Sequence, residues 1–272
     1  MSTIASPSPA TGVASTALRW AGLLWLSVAA IGQTAFIGFI AAYYGVRTAT
    51  GNFAGWNDKP LIDGYIAGDD TGNIVFAAHV LLAAVVTLGG LMQLIPAIRR
   101  RAPGLHRWTG RIFLVIAIFM ALSGIWLALV RGTYLSTISN VAILGDAALI
   151  LIFAGLAWRC AVKRRFEQHR KWAMRTFMVV SGVWFLRVGL MGWVVLNRGP
   201  AGLTDDMSGP VDSVMTFGSY LIPLTVLELY FAAQRSPRAA LKILAAVVVV
   251  AAAAYTALGV FGAVAFMWGP YL

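Results

Sequence analysis

Long apolar runs, broken at near-regular intervals by short charged stretches, make up most of this chain. A helix needs about 20 apolar residues to cross the hydrocarbon core of a bilayer. Seven stretches meet that length, at about 21–44, 74–98, 112–130, 141–162, 176–196, 214–233 and 243–268. Seven spans of about 22 residues leave only loops and tails, with no room for a soluble domain. The pattern predicts an all-α, polytopic transmembrane bundle over 21–272, preceded by a flexible tail over 1–20 rich in Ser, Pro, Thr and Ala. The first run is too long for the core of a signal peptide and lacks the charged start of one, so it is expected to stay as an anchor.

Composition agrees with the pattern. The chain is 60% hydrophobic and 11% charged, with a mean hydropathy of +0.79. Soluble domains run at about 45–50% and 25%, so a water-facing globule, a disordered chain and a collagen-like chain are all excluded. The lone cysteine, Cys160, cannot form an internal disulfide.

The net charge of +11 would suggest nucleic acid as a partner in a soluble protein. Here the positive charge sits in alternate loops. Arg99, Arg100, Arg101, Arg107 and Arg111 follow the second run, and Lys163, Arg164, Arg165, Arg170, Lys171 and Arg175 follow the fourth. Arg235, Arg238 and Lys242 follow the sixth. The intervening loops carry Asp58, Asp63, Asp69, Asp70, Asp205, Asp206 and Asp212. Retention of Lys and Arg on the cytoplasmic side puts the amino terminus inside and the carboxyl terminus outside, in a bacterial inner membrane. Topology accounts for the charge, and the partner is the lipid bilayer, with no nucleic acid.

Two basic loops echo one another. His106-Arg107-Trp108-Thr109-Gly110-Arg111-Ile112-Phe113 enters the third span, and His169-Arg170-Lys171-Trp172-Ala173-Met174-Arg175-Thr176-Phe177 enters the fifth. Both read His-Arg, then Trp-x-x-Arg-x-Phe, with one residue of slip. Spans two–three and four–five therefore read as parallel repeated hairpins, although interfaces attract Trp, Arg and His in any case.

Ionisable side chains within a bilayer are costly enough to mark function by default. His79 and Asp146 each lie about 7–8 Å below the outer boundary, and Arg187 about 13 Å below it. An outer His79–Asp146–Arg187 cluster is expected, either as a site for protons or a quinone, or as a structural Asp146–Arg187 ion pair beside an interhelical hydrogen bond from His79. Glu228 is the inner polar residue, near the mouths of spans three and five. Those mouths carry His106 and His169, the one pair able to ligate a haem b together, with Arg107, Arg111, Arg170 and Arg175 available for its propionates. The nineteen residues from His79 to Ile98 span about 28 Å of helix, so His79 cannot share that iron. Capping of helix starts and contact with headgroups are the alternative roles for the two histidines. No CxxC, HExxH or phosphate-cradling glycine loop is present.

The string from Leu105 to Arg111, with His79 upstream and His169–Arg175 downstream, resembles the bacterial predicted membrane proteins of the domain of unknown function 2306 family. The resemblance covers about 74–233 and marks His79, His106 and His169 without supplying a reaction. Three histidines are too few for the two haems of four-helix b561-type cytochromes, which the chain resembles only in its bundle and histidines. The leading expectation is a haem-binding or redox membrane protein using His106 and His169, with a quinone or other small molecule as ligand. The alternatives are a proton-coupled transporter using His79, Asp146, Arg187 and Glu228, and a non-catalytic assembly subunit.

Overall fold

The computed structural model describes residues 9–59 and 62–272. Its long elements are α1 (Pro9–Ile40), α3 (Asp70–Leu94), α5 (Pro103–Leu129), α6 (Thr137–Val162), α7 (Phe166–Val180), α8 (Gly182–Asn197), α9 (Pro210–Arg235) and α10 (Ala239–Gly262). Two short helices, α2 (Val46–Ala49) and α4 (Pro96–Arg101), complete the set. Among the described residues six helical stretches are long and apolar enough to cross a membrane, and the bent pair α7–α8 makes a seventh. This is the polytopic bundle that the apolar runs predict.

The helix ends follow local chemistry. Asp69 accepts from the Gly72 amide at 2.9 Å and starts α3. Ser136 and Ser139 satisfy each other's amides at the start of α6. Pro103 and Pro210, which have no amide to leave unpaired, open α5 and α9. The run expected over 74–98 stops at Leu94, because a residue before proline is pushed out of the helical region, and Ile95 precedes Pro96. Residues 9–20, expected as part of a flexible tail, are the first turns of α1, while residues 1–8 of that tail lie outside the described residues.

The fifth run departs most from expectation. It is not one straight helix but two, meeting at Ser181 with a bend of 53°. A Ser-Gly pair (Ser181-Gly182) sits at the break, a recognised cause of sharp kinks. The two halves keep different company. Helix α7 packs on α6, whereas α8 packs on α10.

Around the bundle, α1 lies between α10 and α3, α5 between α3 and α6, and α9 touches α6, α7, α8 and α10. The central core joins Phe36 and Phe39 of α1, Phe177 of α7, Trp184, Phe185 and Val188 of α8, and Leu227 and Phe231 of α9. Close approach is set by small residues. A methyl added at Gly259 of α10 would overlap the Val188 carbonyl oxygen of α8.

One end of the bundle carries the arginine clusters and the other the aspartates; they are called here the basic and acidic ends. A loop between α2 and α3 folds over the acidic end. Trp56 inserts against Phe76 and Leu127, and Tyr43 donates to the Gly55 carbonyl at 3.0 Å. Arg131 ties this loop down, donating to Asp69 (3.0 Å), Asn73 (2.8 Å) and the Gly64 carbonyl (3.2 Å).

Candidate functional site

His106 and His169 each occupy the fourth residue of their helices, α5 and α7. Each amide donates back to the residue before its helix, to Ala102 at 3.1 Å and Arg165 at 2.8 Å. Three residues beyond each loop tryptophan lies an arginine that stacks on it, with Arg111 5.2 Å from the Trp108 ring and Arg175 4.5 Å from the Trp172 ring. The echo in sequence is thus an echo in local geometry. The one-residue slip turns Trp172 by about 100° relative to Trp108, so Trp172 packs on Phe153 while Trp108 faces outward.

Both rings have their Nδ1 occupied. His169 Nδ1 donates to the Ala157 carbonyl at 2.9 Å, which leaves Nε2 with a free lone pair in the neutral ring. His106 Nδ1 accepts from the Gln93 amide at 3.0 Å, in the amide orientation that also lets Gln93 accept from Thr109 (2.6 Å) and the Gly110 amide (3.1 Å). The two histidines are within electrostatic reach of each other and of Arg99. They line one continuous cavity of about 1800 Å³. Its basic end is edged by Arg19, Arg99, Arg107, Arg111 and Arg170, and its interior by apolar side chains such as Trp25, Leu94, Phe177 and Phe185.

Two expected members are placed elsewhere. Glu228 does not meet the histidines. It takes Arg175 in a two-bonded ion pair at 2.6 and 2.9 Å that ties α7 to α9, so Arg175 is already engaged and does not line the cavity. Arg19, Gln93 and Arg99 line it instead. Gln93 could have been singled out as a lone amide near the end of an apolar run, facing Thr109 of the histidine motif.

A model of the family described as predicted membrane protein (DUF2306) matches residues 76–231. The chain belongs to this family. The matched segment includes His79, His106, His169, Asp146, Arg187 and the Arg175–Glu228 pair, and leaves out α1 and α10. No curated protein and no solved structure matches the chain.

The expected cluster His79–Asp146–Arg187 is divided. No ion pair joins Asp146 to Arg187 among the described residues. Asp146 of α6 abuts Gly182, the first residue of α8. Five residues separate Gly182 from Arg187, about 140° around a helix, so the two charges face different flanks of α8. Among the described residues, the buried Oδ1 of Asp146 has no hydrogen-bond partner. Beside the same break, the buried Gln33 donates to Ser181 Oγ at 3.0 Å, a contact that no pattern in the first run announces. On the other flank, Arg187 lies 5.5 Å from the Phe36 ring and donates to the Val183 carbonyl at 3.0 Å. It is within electrostatic reach of Tyr44, Lys59 and His79. Ser123 gives its proton to the Met120 carbonyl, so His79 Nδ1 is the donor in the 2.8 Å bond between them.

No group of three or more His, Cys, Asp or Glu among the described residues has the arrangement to hold a bare metal ion. A two-histidine haem site needs no such group.

Proposed function

We propose that this is an inner-membrane protein that holds an amphiphile with an anionic head in the cavity at its basic end, with haem b as the candidate cofactor and redox chemistry as the use. The observation that carries the reading is the single cavity edged by two histidines and five arginines and walled by apolar side chains. Haem b has the same division, with two propionates on an apolar ring. Arg107, Arg111 and Arg170, which line the cavity, would pair with the propionates, since guanidinium pairs with carboxylate through two parallel bonds. His169 would hold the iron through its free Nε2, its Nδ1–H being fixed by the Ala157 carbonyl. Ligation by His106 Nε2 requires its proton on Nδ1. Turning over the Gln93 amide supplies the acceptor oxygen for that tautomer. Bound haem would supply one-electron transfer. The residues of this chain would hold the iron, neutralise the propionates and surround the ring with apolar side chains.

The test is the absorption spectrum of detergent-purified protein from haem-supplied cells, oxidised and dithionite-reduced, beside His106→Ala and His169→Ala. A stoichiometric Soret band that shifts on reduction and is lost in both variants is expected. A colourless wild-type protein, with metal analysis also blank, overturns the reading.

One observation favours a second reading, a proton-coupled transporter. A broken helix near mid-span with a carboxylate whose buried oxygen lacks a partner against its second half is an arrangement used for substrate and ion coupling. In that case Asp146→Asn abolishes uptake in a colourless protein, and unchanged uptake in the variant removes this alternative.

A further inference from the structure

The second region with unexplained chemistry lies at the acidic end, on the flank of α8 away from Asp146. Here Lys59 of the folded loop and His79 of α3 each come within electrostatic reach of Arg187 of α8. Lys59 Nζ lies 5.0 Å from the Phe39 ring and 5.7 Å from the Tyr271 ring, and Arg187 lies over Phe36. Phe36 and Phe39 both pack on Trp268, at 5.4 and 6.0 Å, so the two cations share one aromatic wall.

What is missing is a negative charge. The ion pairs among the described residues are Arg47–Asp58, Arg131–Asp69, Lys171–Glu167 and Arg175–Glu228, and neither Lys59 nor Arg187 belongs to any of them. Residues 1–8 and 60–61 contain no Asp or Glu. The nearby acid Asp58 is bound to Arg47 at 3.2 Å. Burial and the Arg187 charge bring the Lys59 ammonium down to about 8, so it is mostly charged at neutral pH. An uncompensated pair of cations inside a membrane protein is costly. Lys59, Tyr44, His79 and Arg187 are nevertheless each half-buried rather than fully buried.

We propose that these two unpaired cations and their shared aromatic wall bind a small organic carboxylate, with Arg187 and Lys59 holding the anionic end and the rings of Phe36, Phe39 and Tyr271 contacting the apolar body. A planar guanidinium matches a carboxylate through two parallel bonds, while an ammonium adds a point charge free to follow it. The aromatic wall selects an organic anion over a fully hydrated inorganic one. The site is separate from the basic-end cavity, whose lining contains neither Lys59 nor Arg187.

The probes are benzoate, its uncharged analogue benzamide and inorganic phosphate, titrated calorimetrically into the full chain in a neutral detergent at pH 7. Benzoate is expected to bind the wild type, benzamide and phosphate not to. Affinity is expected to fall at least tenfold in Arg187→Gln and severalfold in Lys59→Gln. His106→Ala should bind benzoate like the wild type, which separates this site from the proposed haem site. Lys59→Gln, in a loop, keeps the test valid if Arg187→Gln does not fold. No benzoate binding to the wild type, equal affinity for benzamide, phosphate binding in place of benzoate, or wild-type affinity in both variants overturns the proposal.

Discussion

Glu228 and Arg175 show how much a single residue's role depends on its partner. Both oxygens of Glu228 are taken by one guanidinium that also stacks on Trp172. Removing either partner leaves the other charge unpaired, but Glu228 is 46% exposed, so Arg175→Gln and Glu228→Gln should each lower stability by about 1 kcal/mol or less. The double variant should lose less than the sum, as a thermal or denaturant double-mutant cycle would read. Lys59 gives a second prediction. Its folded-state value of about 8 lies below the ordinary 10.5, so the unfolded chain binds more protons between those limits. Stability should therefore rise with pH from about 8 toward 10.5. Melting curves of Lys59→Gln across that window should lack this part of the slope. The sequence exposes the intramembrane charges at once, because each interrupts an apolar run. It does not expose their partners, since depth along a helix is readable but angle around the bundle is not. Asp146 and Arg187 have compatible depths and opposite flanks of α8, and Glu228 meets Arg175 rather than a histidine.

At the scale of elements, the spans are legible because a bilayer demands an apolar run of fixed length. Their ends and breaks depend on smaller signals. Pro96 ends α3 early, and the Ser181-Gly182 pair splits a run that is apolar on both sides of it. The repeated His-Arg motif is legible in both register and local fold, since each histidine lands on the fourth residue of its helix. Contacts between helices are the least legible, because any of the chain's 28 glycines could be the close one. Gly259 is the test case. Gly259→Val should cost about 1–3 kcal/mol as an overpacked contact, reported as a lower melting temperature. The same change at Gly155, which has open space around it, should have little effect.

For the whole molecule, the segregation of arginines to one end and aspartates to the other predicts that the basic end faces the cytoplasm. If the bent pair crosses once, the seven spans would put the two termini on opposite sides. A periplasm-dependent phosphatase reporter fused after Leu272 should be active, and a reporter fluorescent only in the cytoplasm should stay dark there. The reverse result would invert the orientation. The break at Ser181 has a mechanical consequence at this scale. Because α7 travels with α6 and α8 with α10, the chain changes from one packing group to the other within a single residue. A relative rotation of the two groups would concentrate in the torsions of Ser181, with the Gln33 side chain as a latch across the pivot. The basic-end cavity is walled by both groups, so a molecule filling it would set the angle at which that hinge rests.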